Sequence, residues 1–159
     1  MPGIWLGNKL GGTGWDGFSP GLPVCKGARV KRGNIPSTNQ LKGRNSSSAE
    51  YKSGLLNGSS LIDLTGGFGV DDYYFANTMK SVTHCEINSD LSEIVKHNFK
   101  QLGVTNIDCI AGDSSTTLQS TTEKWDWIYI DPSRRNDAKG KVFMLKDCLP
   151  NVPENLDLY

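Results

Sequence analysis

The chain has 159 residues, of which 36% are hydrophobic and 21% are charged, and its formal net charge is zero. This length allows one domain with a hydrophobic core, and this composition excludes a disordered polymer and a membrane protein. No apolar run approaches the roughly 18 residues of a membrane-spanning helix, and the first residues lack the basic and apolar regions of a secretory signal. We therefore expect a cytoplasmic protein with no membrane partner.

Residues 1–45 predict an irregular, basic arm, because they contain ten glycines and four prolines and show no apolar periodicity. Seven Lys or Arg residues against one acidic residue give this arm a charge of +6, and ten basic against sixteen acidic residues give residues 46–159 a charge of −6. Two interpretations stay open. Either the arm binds a polyanionic partner, or it is a solvated flexible tail.

From about Ser46 the pattern changes to alternating helices and strands, and residues 46–159 are expected to form the folded domain. The predicted elements in chain order are a helix from Ser46, a strand at Leu61–Leu64, a helix at Val70–Met79, a strand at Ser81–Ile87, a helix at residues 90–102, a strand at Ile107–Ala111, a weak helix, and a strand at Trp125–Ile130.

The helix at residues 90–102 has the clearest pattern, because its apolar residues recur at a spacing of about 3.6. Ser89 or Asp90 is expected to cap its start, and Gly103 is expected to end it.

Strands that alternate with helices imply parallel pairing and right-handed crossovers. The predicted class is therefore α/β, with a Rossmann-like open, mostly parallel sheet and helices on both faces. In such a sheet a ligand binds outside the carboxyl ends of the strands. An acidic residue stands at the end of each of the four predicted strands: Asp63, Glu86, Asp113 and Asp131.

A glycine-rich loop follows the first of these strands, at residues 66–69. Glycine lets the backbone turn tightly and approach a ligand, although an ordinary strand-to-helix turn would look the same. No Gly-Lys-Ser/Thr follows, so a P-loop is excluded. Asp72 stands where a dinucleotide loop would carry its third glycine, and a carboxylate beside a pyrophosphate is unfavourable. The loop therefore suits a nucleoside ligand without phosphates.

The acids after the second and third strands have complementary predicted roles. Glu86 can accept hydrogen bonds from two ribose hydroxyls, and its alternative is a solvated loop carboxylate. Asp113 can accept a hydrogen bond from the exocyclic amine of adenine, and it can also cap a helix that begins at Ser114. Those two roles of Asp113 are compatible.

The cysteines and histidines predict no metal site. The four cysteines at positions 25, 85, 109 and 148 lack the C-x2-C spacing of a zinc site and are too far apart for a small disulfide scaffold. We interpret them as reduced thiols. His84 lies in the middle of a predicted strand and His97 lies on a helix, and neither has a second ligand at metal spacing.

This pattern resembles the class I S-adenosylmethionine-dependent methyltransferases over about residues 46–150. Members of that family bind the cofactor through a glycine-rich first loop, an acid after the second strand and an Asp after the third. The commonest family form has Gly where Thr65 stands here. The resemblance implies S-adenosylmethionine as the cofactor, held by Asp63, Thr65, Gly66, Gly67, Phe68, Gly69, Glu86, Ile87, Asp113 and Ser114.

The motif after the fourth strand, Asp131-Pro132-Ser133-Arg134-Arg135, resembles the D-P-P-x motifs at the methyl-acceptor site of RNA and DNA methyltransferases. Together with residues 61–71 and 48–52 it is most similar to RNA methyltransferases that carry a C-terminal THUMP-like domain. This resemblance implies an RNA substrate (rRNA or tRNA), and it implies that Asp131, Pro132 and Arg134 are catalytic. Related enzymes that methylate exocyclic amines place an aromatic residue where Ser133 and Arg134 stand.

Class I domains usually have seven strands, but only 28 residues follow Asp131, and Val142–Leu145 is their one strand-like run. The sheet is therefore expected to be incomplete at its C-terminal side, with an unpaired edge after the fourth strand. Two alternatives to methyl transfer stay open. One is a non-catalytic module that binds cofactor or RNA, and the other is an NAD-dependent oxidoreductase, against which Asp72 argues.

Overall fold

A computed structural model of the chain describes residues 3–6, 46–133, 135–136 and 140–159, with side chains for residues 47–133 and 142–159. The regular elements in chain order are β1 Gly3–Leu6, α1 Ser46–Gly54, β2 Ser60–Asp63, α2 Val70–Phe75, β3 Ser81–Glu86, α3 Ser89–Gln101, β4 Ile107–Ala111, α4 Ser114–Ser120, β5 Trp127–Ile130, β6 Arg135–Asn136 and β7 Gly140–Lys141. Two 3-10 turns, Leu145–Asp147 and Pro153–Asn155, follow β7.

The first five strands form one parallel sheet in the order β1-β5-β2-β3-β4. Leu61 in β2 lies opposite Val82 in β3 on one side and opposite Trp127 in β5 on the other. The expected α/β class with a parallel sheet is confirmed. β6 and β7 form a separate antiparallel ribbon after β5.

The edge of the sheet beyond β5 differs from the expectation, because β1 pairs with it. Gly3–Leu6 was expected to be irregular, but it lies parallel to β5 with Gly3 opposite Trp127 and Leu6 opposite Ile130. A short apolar segment can occupy the backbone donors and acceptors of an edge strand, whatever its distance along the chain. The rest of the predicted arm, residues 1–2 and 7–45, lies outside the described residues.

The hydrophobic interior lies on both faces of the sheet, because successive residues of a strand point in opposite directions. On one face Leu61 packs in a cluster with Phe75 of α2. On the other face Ile62 packs in a cluster with Val152, and Leu118 of α4 lies against that cluster. This arrangement confirms helices on both faces.

Helix α3 is present where the periodicity predicted it, but its cap differs. The N-cap is Asn88, whose side chain accepts a hydrogen bond from the backbone N–H of Leu91 at 3.1 Å, rather than Ser89 or Asp90. Each of the three residue types can cap a helix, so composition alone could not choose among them. Gly103, with φ +72°, ends the helix as expected.

Two other predicted elements are shorter or absent. Helix α2 stops at Phe75 rather than Met79, and turns occupy the next residues. The prediction of a strand at Val142–Leu145 is wrong, since a 3-10 turn begins at Leu145. A strand needs a partner for its backbone groups, whereas here the N–H of Asp147 donates locally to the carbonyl of Met144 at 2.9 Å.

Phe75 tests this description of the core. It is fully buried, and its ring packs edge-on against Tyr129 with ring centroids 4.9 Å apart. Phe75→Ala should lower the free energy of unfolding by about 3–5 kcal/mol, measured by urea denaturation. Leu55→Ala, at a side chain that is 50% exposed, is the control and should change it by less than about 0.5 kcal/mol. Equal effects of the two variants would contradict the assigned core.

Candidate functional site

The candidate site lies at the carboxyl ends of β2, β3, β4 and β5, where backbone hydrogen bonds continue beyond the strands. The N–H of Gly66 donates to the carbonyl of Cys85 at 2.9 Å, and the N–H of Gly112 donates to the carbonyl of Glu86 at 2.9 Å. On the other side the N–H of Leu64 donates to the carbonyl of Tyr129 at 3.0 Å. The four acids predicted from the sequence therefore stand at one edge of the sheet.

The loop at residues 66–69 is a tight turn that closes with a hydrogen bond from the N–H of Gly69 to the carbonyl of Gly66, 2.9 Å long. Gly67 and Gly69 have positive φ angles of +54° and +70°. A side chain at Gly69 would collide with Phe99 and Val95 of α3, so this glycine allows helix and loop to pack closely.

Glu86 holds this loop from the neighbouring strand. Its Oε2 accepts a hydrogen bond from the N–H of Gly67 at 3.0 Å, and its Oε1 accepts one from the N–H of Asn88 at 2.8 Å. The carboxylate is half-buried and the next residue, Ile87, is 74% exposed. The loop, an acid and an apolar surface therefore adjoin one another.

Asp113 caps helix α4, as one of its two predicted roles requires. Its Oδ1 accepts hydrogen bonds from the N–H groups of Ser115 at 2.8 Å and Thr116 at 3.1 Å. The side chain is exposed, and Ser114 is the half-buried first residue of the helix. Contact between Asp113 and an adenine stays a prediction.

Asp63 lies beneath the loop, 2% exposed. Its Oδ1 accepts hydrogen bonds from the backbone N–H of Thr65 at 2.7 Å and from the Thr65 hydroxyl at 3.0 Å. Burial raises the pKa of Asp63 well above its usual range, and the nearby carboxylate of Asp72 adds to this rise. Asp63 therefore shapes the turn through its hydrogen bonds to Thr65.

A buried histidine–carboxylate pair supports the loop from below, and sequence reasoning missed it. Asp72 and His84 are both fully buried, and His84 Nδ1 lies 2.5 Å from Asp72 Oδ2. Burial raises the pKa of Asp72 and lowers the pKa of His84, so the interior disfavours separated charges and the two groups share a short hydrogen bond. One indication was present in the sequence: His84 and Glu86 are two residues apart in a predicted strand, so their side chains are expected on the same face of the sheet.

The burial of Asp72 changes one sequence argument. Asp72 was expected to stand where a pyrophosphate would bind, but its side chain points into the interior toward His84. Charge repulsion at this position is therefore no longer an argument against NAD. The ring of His84 lies directly beneath Gly66, where a Cβ atom would overlap its Cε1 and Nδ1 atoms.

A second polar cluster joins α1 to the sheet beside the loop. Lys52 Nζ donates to Asp71 Oδ2 at 2.8 Å and to Tyr129 Oη at 2.9 Å, and Tyr129 Oη donates to Asp71 Oδ2 at 2.7 Å. Burial raises the pKa of Tyr129 far above its usual value, and Asp71 adds to this rise. These contacts place α1 over the start of α2.

The motif after β5 is held from two directions. The N–H of Asp131 donates to the hydroxyl of Thr65 at 2.7 Å. Ser133 exchanges two backbone hydrogen bonds with Leu149, of 2.8 and 3.2 Å. Between them Pro132 is buried. Arg134, predicted to be catalytic, lies outside the described residues.

Within residues 3–6, 46–133, 135–136 and 140–159 there is no group of three or more His, Cys, Asp or Glu side chains that could hold a metal ion. No helix among the same residues is both long and apolar enough to cross a membrane. Cys85 and Cys109 are free thiols. Burial raises the pKa of Cys85 to about 12 and that of Cys109 to about 11, so both are poor nucleophiles.

The comparisons with known proteins come from solved structures, since no family model and no curated protein matches the sequence. A candidate methyltransferase from Porphyromonas gingivalis W83 aligns with a TM-score of 0.63 and 28% identity, over 79% of this chain and 31% of that chain. A candidate methyltransferase from Streptococcus mutans, in complex with S-adenosylhomocysteine (SAH), aligns with a TM-score of 0.51 and 19% identity, over 73% of this chain and 66% of that chain.

The chain has the class I methyltransferase fold. It spans about a third of the length of the Porphyromonas gingivalis protein, 31%. Residues 66–69 and Glu86 of this fold lie at the carboxyl edge of the sheet, the edge at which open α/β sheets bind their ligands.

Gly66 tests the packing beneath the loop. Gly66→Ala should lower the free energy of unfolding by about 1–3 kcal/mol, because the new methyl group would overlap the buried ring of His84. Urea denaturation measures the change, and Gly54→Ala is the control, since a Cβ at Gly54 would meet nothing within 4 Å. In a double variant with His84→Ala the two effects should not add. Additive effects would mean that Gly66 and His84 do not interact.

Proposed function

We propose that this chain binds S-adenosylmethionine and belongs to a methyltransferase that acts on RNA. One observation carries the proposal. The N–H of Gly67 donates to Glu86, and the hydroxyl of Thr65, two residues earlier, accepts from the N–H of Asp131. The proposed cofactor residue and the proposed acceptor residue therefore contact the same turn from the two neighbouring strands. The fold of the chain supports the same proposal.

The residues around the loop fit an adenosyl group. At Gly67 the backbone is open, since a Cβ there would meet only the carbonyl of Thr65, at 3.7 Å. Glu86 can accept hydrogen bonds from ribose hydroxyls, and the exposed side chain of Ile87 offers an apolar surface to a base. Asp113 caps α4 through its Oδ1 and stands at the next strand end, where it can accept a hydrogen bond from the adenine amine.

The chemistry needs alignment more than it needs strong acid or base catalysis. The cofactor, when bound, supplies an electrophilic methyl group on a sulfonium. Asp131 accepts a hydrogen bond from the attacking nitrogen and takes up its proton. The carbonyl of Pro132 orients that nitrogen, and Arg134 binds the phosphate or a base edge of the RNA.

The RNA substrate is proposed from the sequence. The motif Asp131-Pro132-Ser133-Arg134-Arg135 resembles acceptor-site motifs of nucleic-acid methyltransferases, and the larger pattern is most similar to RNA methyltransferases with a C-terminal THUMP-like domain. Residues 7–45 add seven Lys or Arg residues and one Asp, a charge that suits a polyanion. The free thiols suit a reducing compartment, and we propose the cytoplasm.

A second candidate function is binding without catalysis. The observation that favours it is in the sequence, because Ser133 and Arg134 stand where related enzymes that methylate exocyclic amines place an aromatic residue. The first candidate requires both SAH binding and methyl transfer, whereas a non-catalytic module requires binding of SAH or of RNA and no methyl transfer. Titration with NAD distinguishes both candidates from an NAD-dependent oxidoreductase, because only the oxidoreductase is expected to bind NAD.

Glu86 tests the cofactor site. Glu86→Ala should weaken SAH binding by about 1.5–3 kcal/mol, because hydrogen bonds to a charged group are lost, and isothermal titration calorimetry measures the change. Glu154→Ala, at an exposed acid on a 3-10 turn, is the matched control and should leave the affinity unchanged. If Glu86→Ala folds and binds SAH like the wild type, Glu86 does not contact the cofactor.

Asp131 tests the acceptor site. Asp131→Ala should lower the transfer of tritiated methyl groups to total RNA by about 10²–10⁴-fold, while SAH affinity stays within about 0.5 kcal/mol of the wild type. Asp157→Ala, at an exposed acid near the C-terminus, serves as the control. A loss of SAH affinity as large as that of Glu86→Ala would show that Asp131 is structural. Binding by the wild type without any transfer would favour the non-catalytic function.

A further inference from the structure

We propose that Thr65, which precedes the proposed cofactor loop at residues 66–69, is a positioning residue that connects the end of β2 to the backbone of Asp131. This inference rests on the proposed function. Thr65 follows β2, whereas Asp131 follows β5, the neighbouring strand. The Thr65 hydroxyl lies between the two strand ends and contacts both. A glycine, which the commonest family form has at this position, could not make this connection.

The hydroxyl makes two hydrogen bonds with opposite roles. It donates to Asp63 Oδ1 at 3.0 Å, and it accepts from the N–H of Asp131 at 2.7 Å. Because its single hydrogen goes to Asp63, its lone pairs face the N–H of Asp131. The chain Asp63–Thr65–Asp131 therefore has a defined direction.

The first bond of this chain is well anchored. Asp63 is 2% exposed, and its Oδ1 also accepts the backbone N–H of Thr65 at 2.7 Å. Two hydrogen bonds to one buried oxygen leave the Thr65 side chain little rotational freedom. The position of the hydroxyl is therefore set by Asp63, a buried residue at the end of β2.

The second bond, from the N–H of Asp131 to the Thr65 hydroxyl, fixes the start of the acceptor motif. Asp131 is half-buried and begins the segment Asp131-Pro132-Ser133, whose other end is held by the two backbone hydrogen bonds between Ser133 and Leu149. With Thr65 at one end and Leu149 at the other, the backbone of this segment is fixed at both ends. A reacting group must be held to within about 0.5 Å for efficient transfer, so a loss of the Thr65 contact should affect transfer more than cofactor binding.

The test compares Thr65→Val, which keeps the shape of the side chain but lacks the hydroxyl, with Thr65→Ser, which keeps the hydroxyl. Thr78→Val is the matched control, since Thr78 is an exposed residue whose hydroxyl, among the described residues, donates to the carbonyl of Phe75 at 3.1 Å, in the turn that follows α2. Each variant is measured in three ways: the hydrogen-exchange rate of the Asp131 amide by NMR, the SAH affinity by calorimetry, and tritiated methyl transfer to total RNA. Urea denaturation confirms that each variant is folded.

We expect Thr65→Val to speed exchange of the Asp131 amide by about tenfold or more and to lower methyl transfer by about 2–10-fold, the effect of one neutral hydrogen bond. The SAH dissociation constant should change by less than about threefold, because both hydrogen bonds of the Thr65 hydroxyl go to protein groups. Thr65→Ser should exchange and transfer at rates closer to those of the wild type than to those of Thr65→Val. Thr78→Val should match the wild type in all three measurements.

Three results would overturn the proposal. They are unchanged exchange of the Asp131 amide in Thr65→Val, failure of Thr65→Ser to restore it, or a loss of SAH affinity equal to the loss of transfer. A wild-type chain that neither binds SAH nor transfers methyl groups would instead overturn the proposed function. The exchange data would still show whether the hydrogen bond exists, so the two failures are distinguishable.

Discussion

Parallel hydrogen bonding between neighbouring strands is the constraint on which the site depends. In the order β5-β2-β3-β4 every strand ends at the same edge, so residues far apart in the chain become neighbours there. The N–H of Gly67 reaches Glu86, 19 residues away, and the hydroxyl of Thr65 reaches the N–H of Asp131, 66 residues away. A one-residue slip of β5 against β2 would turn every side chain of β5 to the other face, and the contact to Asp131 would be lost.

The loop also depends on polar groups that the interior must accommodate. Asp63, Asp72 and His84 are all buried beneath it, which is costly unless they are hydrogen-bonded. The Asp72–His84 pair and the contacts from Asp63 to Thr65 offset much of that cost. Within the described residues Asp72 Oδ1 and His84 Nε2 have no hydrogen-bond partner, so the cost is only partly offset. A polar interior directly beneath a surface loop is unfavourable for stability alone, and buried polar groups of this kind are frequent at functional sites.

The two halves of the proposed reaction are supported differently. The cofactor side consists of residues that follow the strands of the central sheet and contact one another through short hydrogen bonds. The acceptor side rests on Asp131-Pro132-Ser133, held by Thr65 and by Leu149 from a later segment. Because the backbone N–H of Asp131 donates to the hydroxyl of Thr65, the position of the proposed acceptor residue is expected to depend on Thr65 more than the proposed cofactor contacts do.

The amino-acid sequence by itself determined the class of the fold, the order of its central elements and the acids at the four strand ends, because hydrophobic periodicity and glycine placement are local properties. It could not determine that Gly3–Leu6 pairs with β5, that Asn88 caps α3, or that Asp72 points inward to His84 rather than outward to a ligand. Those outcomes depend on which groups meet across the sheet and on which of them lose contact with water. Side-chain direction at a strand end and the partner of an edge strand are set by tertiary packing, so only the folded structure decided them.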